Sequence, residues 1–157
     1  MAISIGQPAP SFSLYDSNKN MVTLADYKGK NVLLLFFPLA FTGVCTAELC
    51  GVRDNIAIYN EANAEVLGIS VDSLYVLNQY KTDQQFNFSL LSDFNKETSK
   101  TYDVLYETFP SFGMQGVSKR AAFVIDKGGI LQYAEVCASP ANVPDFNAIQ
   151  QTLAKIG

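Results

Sequence analysis

Asn31-Val32-Leu33-Leu34-Leu35-Phe36-Phe37-Pro38-Leu39-Ala40-Phe41-Thr42-Gly43-Val44-Cys45 is the stretch on which the fold turns. From Val32 to Phe37 it is apolar without alternation, and a strand-sized run of that kind belongs to a central strand covered on both faces. Pro38, which lacks an amide proton, ends the strand. Thr42 and Gly43 stand where a helix cap is expected. Beyond them, Val44 to about Tyr59 places Leu49, Val52, Ile56 and Tyr59 at helical spacing. Cys45 therefore falls in the first turn of a helix that follows a buried strand.

Outward from this unit, strand and helix alternate. Phe12–Leu14 and Val22–Leu24 flank the polar cluster Asp16–Asn20, which predicts an N-terminal β-hairpin. Downstream the pattern predicts a strand over Glu65–Val71 and a helix from an Asp72 or Ser73 cap to about Gln84. A short strand at Ser89–Leu91 and a short helix from Asn95 to about Tyr102 follow. Ala121–Asp126, the turn Lys127-Gly128-Gly129 and Ile130–Val136 predict a second hairpin, before a closing helix from about Val143 to Lys155. The expected class is α/β, a central mixed sheet flanked by helices. With 157 residues and no linker, repeat or low-complexity stretch, residues 1–157 are expected to form one domain.

Composition narrows the function. A net charge of −4 lacks the basic surface that nucleic acids and anionic membranes require, so neither is an expected partner. No apolar run approaches the ~20 residues of a membrane span. The opening Met1–Pro10 lacks the basic and apolar regions of a signal peptide, and the expected location is cytoplasmic. There is no histidine, which excludes a Ser-His-Asp triad, a Cys-His pair and a His-rich metal site. Three cysteines, Cys45, Cys50 and Cys137, are too few for a disulfide scaffold. Without histidine they do not supply a convincing zinc site either, and neither metal nor cofactor is expected.

A helix N-terminus presents unpaired amides and about half a positive charge, which favours a thiolate over a thiol. The thiolate is the nucleophile, so Cys45 is the candidate reactive sulfur. An inert buried cysteine is the competing reading.

Pro38, Thr42 and Cys45 reproduce the Pro-x-x-x-Thr-x-x-Cys motif of the peroxiredoxins, and the resemblance extends over nearly the whole chain. Thr46, Glu48 and Arg53-Asp54 follow at familiar offsets. Gly6–Phe12, Gly68–Ser73, Leu91–Asp93 and Arg120–Asp126 resemble corresponding family segments. The flanks of Cys45 are closer to the alkyl hydroperoxide reductase E subgroup than to the peroxiredoxin Q subgroup. The resemblance implies a thioredoxin-like fold and a thiol peroxidase that reduces hydrogen peroxide and organic hydroperoxides. It implies that Cys45 attacks a peroxide oxygen and becomes a sulfenic acid. Thr42 would then orient thiolate and peroxide through its hydroxyl. Pro38 would shape and shield the loop, and Arg120 would stabilise negative charge on sulfur and leaving oxygen. Glu48, one turn beyond Cys45, either supports this network or is a solvated carboxylate. A homodimer is also implied, with thioredoxin, glutaredoxin or a low-molecular-weight thiol as reductant.

The sulfenic acid must be reduced, and two internal cysteines compete for that step. Cys50 has a spacing seen in the peroxiredoxin Q type and some of the reductase E type. In a continuous helix five residues give about 7.5 Å of rise and about 140° of rotation, so the two α-carbons stand about 8–9 Å apart. A disulfide tolerates ~7 Å, so bridging requires the first turns to unwind. Cys137, after the last strand, is the rival resolver or an incidental surface cysteine. If neither resolves, the protein is a one-cysteine peroxidase reduced by an external thiol. A peroxide sensor or holdase with little turnover is a further alternative. A thioredoxin-like exchanger would carry Cys-x-x-Cys, which is absent here. Phe37, Phe41, Phe109 and Phe112 are candidates for an apolar pocket, or for core.

Overall fold

The computed structural model of the protein describes residues 3–157. Its strands are β1 (Ser13–Asp16), β2 (Met21–Thr23), β3 (Asn31–Phe36), β4 (Ala64–Ser70), β5 (Ser89–Ser92), β6 (Ala121–Ile125) and β7 (Leu131–Val136). The helices are α1 (Gly43–Asp54), α2 (Ile56–Glu61), α3 (Leu74–Gln84), α4 (Glu97–Thr101) and α5 (Phe146–Ile156), with a 3-10 turn over Leu24–Tyr27. The strands form one open sheet in the order β2-β1-β5-β4-β3-β6-β7. β3, β4 and β5 run parallel, and the remaining pairs are antiparallel. This is the expected mixed sheet with an N-terminal hairpin, in a thioredoxin-like arrangement.

The unbroken apolar run of β3 is explained by its central place. Leu33, Leu35 and Phe37 face a core completed by Leu49 and Val52 of α1, Leu77 and Tyr80 of α3, and Ile149 and Leu153 of α5. Val32, Leu34 and Phe36 face the other side, where Tyr102 at the end of α4 packs its ring against Phe36 and Phe123. Each such side chain contributes about 1.5–3 kcal/mol of burial, so β3 alone anchors both layers. In β4, Gly68 sits between Leu35 and Leu90 in register, and a Cβ there would lie 2.8 Å from Leu90 Cδ2.

Register also fixes where the site lies. β3 and β4 are parallel, so the segments leaving their C-terminal ends lie side by side. β6 is antiparallel to β3, with Ala121 opposite Phe36. Arg120, one residue before β6, is thereby delivered to the same end of the sheet.

Several expected boundaries shift for identifiable reasons. The helix expected over Val44–Tyr59 is two helices, broken at Asn55, whose side chain donates to the Gly51 carbonyl at 2.8 Å and competes with the helical ladder. The closing helix starts at Phe146 rather than Val143, because Pro144 disfavours helix before it and Asp145 caps it by accepting from the Ala148 amide. α4 begins two residues later than Asn95, after Lys96 in the left-handed region at φ 65°. Leu24 leaves the first hairpin for the 3-10 turn. Between α4 and β6 the chain makes an unanticipated narrow excursion, closed by an antiparallel bridge between Leu105 and Ser118 and by a Phe109 amide bond to the Met114 carbonyl at 2.6 Å.

Candidate active site

At the C-terminal end of β3 the chain turns through Pro38–Thr42 into α1, and Cys45 is the third residue of that helix. The Thr46 amide bonds to the Thr42 carbonyl, the first bond of the helix, leaving the amides of Gly43, Val44 and Cys45 ahead of it without the i−4 helical partner. Cys45 is only 1% exposed, yet it lines a cavity of about 300 Å³ together with Pro38, Thr42, Phe109, Phe112 and Arg120. Burial excludes bulk water, while the cavity admits a small molecule to the sulfur.

Thr42 occupies the N-cap position by backbone but does not cap with its side chain. Its hydroxyl donates instead to the Leu39 carbonyl at 2.7 Å. A hydroxyl has one proton, so this bond leaves Thr42 Oγ1 with lone pairs to offer and nothing further to donate.

Arg120 is 2% exposed, and its Nη1 donates to Glu48 Oε1 at 2.7 Å while Nη2 donates to the Pro140 carbonyl at 2.9 Å. Burial opposes its charge, but the neighbouring Cys45 sulfur and Glu48 carboxylate outweigh that and hold the guanidinium protonated. Glu48 is buried, which removes the solvated reading and leaves the network one. Burial pushes its carboxyl up to about 7, against the lowering pull of Arg120. Among the described residues neither Glu48 Oε2 nor Arg120 Nε has a hydrogen-bond partner. A buried guanidinium N–H left without one costs about 1–3 kcal/mol, so a ligand oxygen that took it would be well held.

The other two cysteines differ. Cys50 is partly exposed on α1, and its thiol faces Gln84 Oε1 of α3 at 3.5 Å. The Arg53 guanidinium donates to the Gln84 carbonyl at 2.6 Å, a second tie between the two helices. Cys137 is buried, not on the surface, its amide bonded to the Arg120 carbonyl at 2.9 Å. Burial, reinforced by Glu135 and Glu48 and opposed by Arg120, pushes its thiol up to about 11. No cysteine is bonded to another.

Of the four candidate aromatic residues, Phe109 and Phe112 line the cavity. Phe37 belongs to the core, and Phe41 packs its ring 4.9 Å from that of Tyr80. Tyr80 itself, absent from the sequence reading, shares a hydrogen bond of 2.8 Å with the Thr46 hydroxyl and so ties α3 to the first turns of α1. Asp72 was also missed as a site residue. Ser73, not Asp72, caps α3 by accepting from the Val76 amide at 3.2 Å. The freed Asp72 carboxylate accepts from the Ala40 amide at 2.8 Å and from the Ser70 hydroxyl at 2.6 Å.

A model of the AhpC/TSA family matches residues 5–134. Alkyl hydroperoxide reductase E of Mycobacterium tuberculosis is 38% identical over 157 residues, which cover 98% of this chain and 98% of that one. A mitochondrial thioredoxin-dependent peroxide reductase of Drosophila melanogaster is 38% identical over 141 residues, covering 83% of this chain and 58% of that one. The crystal structure of peroxidoxin BcpB from Mycobacterium tuberculosis superposes with a TM-score of 0.86 at 25% identity, covering 99% of each chain.

Proposed function

The chain belongs to the AhpC/TSA family, the peroxiredoxins, and is a thiol-dependent hydroperoxide reductase; on that premise we propose that Cys45 is its peroxide-attacking sulfur and Cys50 the cysteine that resolves it. The observation that carries this reading is the delivery of Arg120 by β6 to the cavity that Cys45 lines, at the start of α1. No imidazole is needed there. The amides that open α1 and the Arg120 guanidinium bring positive potential to the sulfur, and Pro38 helps to close the loop over it.

In the proposed reaction the hydroperoxide enters with its O–H directed to Thr42 Oγ1, which is left as an acceptor. The thiolate attacks the hydroxyl-bearing oxygen in line with the O–O bond. The S–O bond forms as the O–O bond breaks, sulfur is oxidised to the sulfenic acid with the attacked oxygen keeping its proton, and the leaving alkoxide or hydroxide takes from solvent the equivalent of the proton the thiol released, departing as alcohol or water. Arg120, through its unpaired N–H, stabilises the charge growing on the leaving oxygen. Phe109 and Phe112 give the cavity an apolar wall suited to organic hydroperoxides.

Cys50 then attacks the sulfenic sulfur, expelling water and forming an intramolecular disulfide, which an external dithiol of the thioredoxin type reduces. Support comes from the contrast between the two remaining thiols. Cys137 is held protonated at neutral pH by burial, which makes it a poor nucleophile, whereas Cys50 is partly exposed on the same helix as Cys45. The first turns of α1 unwind in this step.

One experiment separates the possibilities. The reduced protein is given one equivalent of hydrogen peroxide without reductant, and its peptides are mapped. The expected product is a Cys45–Cys50 link, with a trapped sulfenic acid in Cys50→Ser and no peroxide consumption by Cys45→Ser. A Cys45–Cys137 link, or full thioredoxin-driven turnover by Cys50→Ser, would replace Cys50 in the scheme. The homodimer belongs to the same proposal, supported by the exposed aromatic rings of Phe41, Tyr75, Phe94 and Phe112. Sedimentation of the reduced protein at micromolar concentration should give twice the chain mass, and a monomer there would remove it.

A further inference from the structure

We propose that Asp72 is a positioning residue for peroxide reduction, acting through the peptide unit between Leu39 and Ala40 to set the direction of the Thr42 hydroxyl. The inference rests on the reading above, in which Cys45 reacts and Thr42 receives the peroxide proton.

The argument begins with one rigid plane. The Leu39 carbonyl and the Ala40 amide belong to the same peptide unit, and in a trans peptide they point in opposite directions. The Asp72 carboxylate, leaving the end of β4, accepts from the Ala40 amide at 2.8 Å, a length typical of a charge-assisted bond. On the far side of the same plane the Leu39 carbonyl accepts from the Thr42 hydroxyl at 2.7 Å. Fixing the amide therefore fixes the carbonyl, and the carbonyl fixes the hydroxyl proton. With that proton committed, Thr42 Oγ1 meets the cavity as an acceptor only, the polarity a hydroperoxide O–H requires. A peptide free to turn would let the hydroxyl donate toward the cavity, or toward the thiolate it is meant to leave reactive.

The loop needs this restraint. Phe41, between the fixed peptide and Thr42, sits at φ 64°, a left-handed conformation that is strained for a bulky side chain. The strain would relax by turning the adjacent peptides once their anchor was removed. Asp72 is itself held on the loop by the Ser70 hydroxyl, which donates to the same carboxylate oxygen at 2.6 Å. Because one oxygen, Oδ2, accepts both bonds, an asparagine can reproduce them with its amide oxygen, and an alanine cannot.

The test compares two reactions of Cys45 in the full chain: oxidation by hydrogen peroxide, and alkylation by iodoacetamide, which needs the thiolate but no peroxide alignment. Asp72→Ala is expected to lower the peroxide rate constant about tenfold, as loss of one anchoring hydrogen bond implies, and to leave alkylation within about twofold. Asp72→Asn is expected to recover most of the loss. Thr42→Val is expected to be slower still, and Thr42→Val/Asp72→Ala no slower than Thr42→Val alone, since the two act along one path. Ser70→Ala, which keeps the carboxylate but removes its bond from the Ser70 hydroxyl and that hydroxyl's bond from the Asp72 amide, should give the same selective loss to a smaller degree, so the outcome does not depend on Asp72→Ala folding. Equal losses in both reactions, additive losses in the double variant, or an unchanged peroxide rate in both Asp72→Ala and Ser70→Ala overturn the inference. Peroxide reduction surviving in Cys45→Ser would instead overturn the reading beneath it.

Discussion

Glu48 and Arg120 form a buried pair with unequal consequences for the two partners. Arg120 is held charged by its neighbours, whereas burial raises the Glu48 carboxyl from its ordinary 4.5 to about 7. In the unfolded chain Glu48 ionises near the ordinary value, so between the two values the folded protein keeps a proton that the unfolded chain has lost. The stability this contributes is complete below about pH 4.5 and is lost as pH rises through about 7. Glu48→Gln retains an oxygen to accept from Arg120 and cannot ionise. Denaturant unfolding of both proteins should therefore show the variant gaining on the parent by about 1 kcal/mol or more between about pH 4.5 and about pH 8. A constant difference across that range would mean that Glu48 is ionised throughout. The sequence contained both residues of the pair but not their partnership: a carboxylate one turn beyond a cysteine is solvated or buried according to what the sheet delivers opposite it. Similarly, Asp72 and Ser73 are both good capping residues, and only the neighbouring loop reveals which of them is free for another task.

At the scale of elements, α1 carries both Cys45 and Cys50, the sulfurs proposed to attack and to resolve, and its attachments to α3 oppose the unwinding that would join them. Three are identifiable: Thr46 with Tyr80, Cys50 with Gln84 Oε1, and Arg53 with the Gln84 carbonyl. Gln84→Ala deletes only the second and frees the Cys50 thiol. Stopped-flow tryptic mapping, or fluorescence of an introduced reporter, should show disulfide formation after a peroxide pulse accelerated about threefold or more, the equivalent of one weak hydrogen bond of about 0.7 kcal/mol. The initial attack of Cys45 on peroxide should be unchanged. If resolution is not accelerated, the Gln84 contact does not restrain the helix. The alternation of strand and helix was legible because the middles of β3, β4 and β6 are covered on both faces and read as apolar runs. The break at Asn55 was not, since the helical spacing of Leu49, Val52, Ile56 and Tyr59 continues across it, and a single polar side chain decides whether the backbone follows.

For the molecule as a whole, the sheet order explains why residues far apart in sequence share one end of the sheet. The cysteine loop, the Asp72 turn and Arg120 come from three adjacent strands, β3, β4 and β6, whose relative directions place all three attachments together. The motif identified Pro38, Thr42 and Cys45 because they are close in sequence, and Arg120 through a resemblance at its own segment. The narrow excursion closed by Leu105 and Ser118 gave no periodic signal, although it supplies Phe109 and Phe112 to the cavity wall. In the proposed cycle the fastening of α1 to α3 would also act as a timer. While the helix stays wound, the newly made sulfenic acid remains in a cavity open to a second oxidant molecule, and further oxidation to the sulfinic acid is not reversed by ordinary thiols. Two fates would then compete, one at a rate fixed by the helix and the other growing with oxidant, so the cycle implies a crossover dose above which the protein would disable itself. Loosening the fastening moves that dose upward.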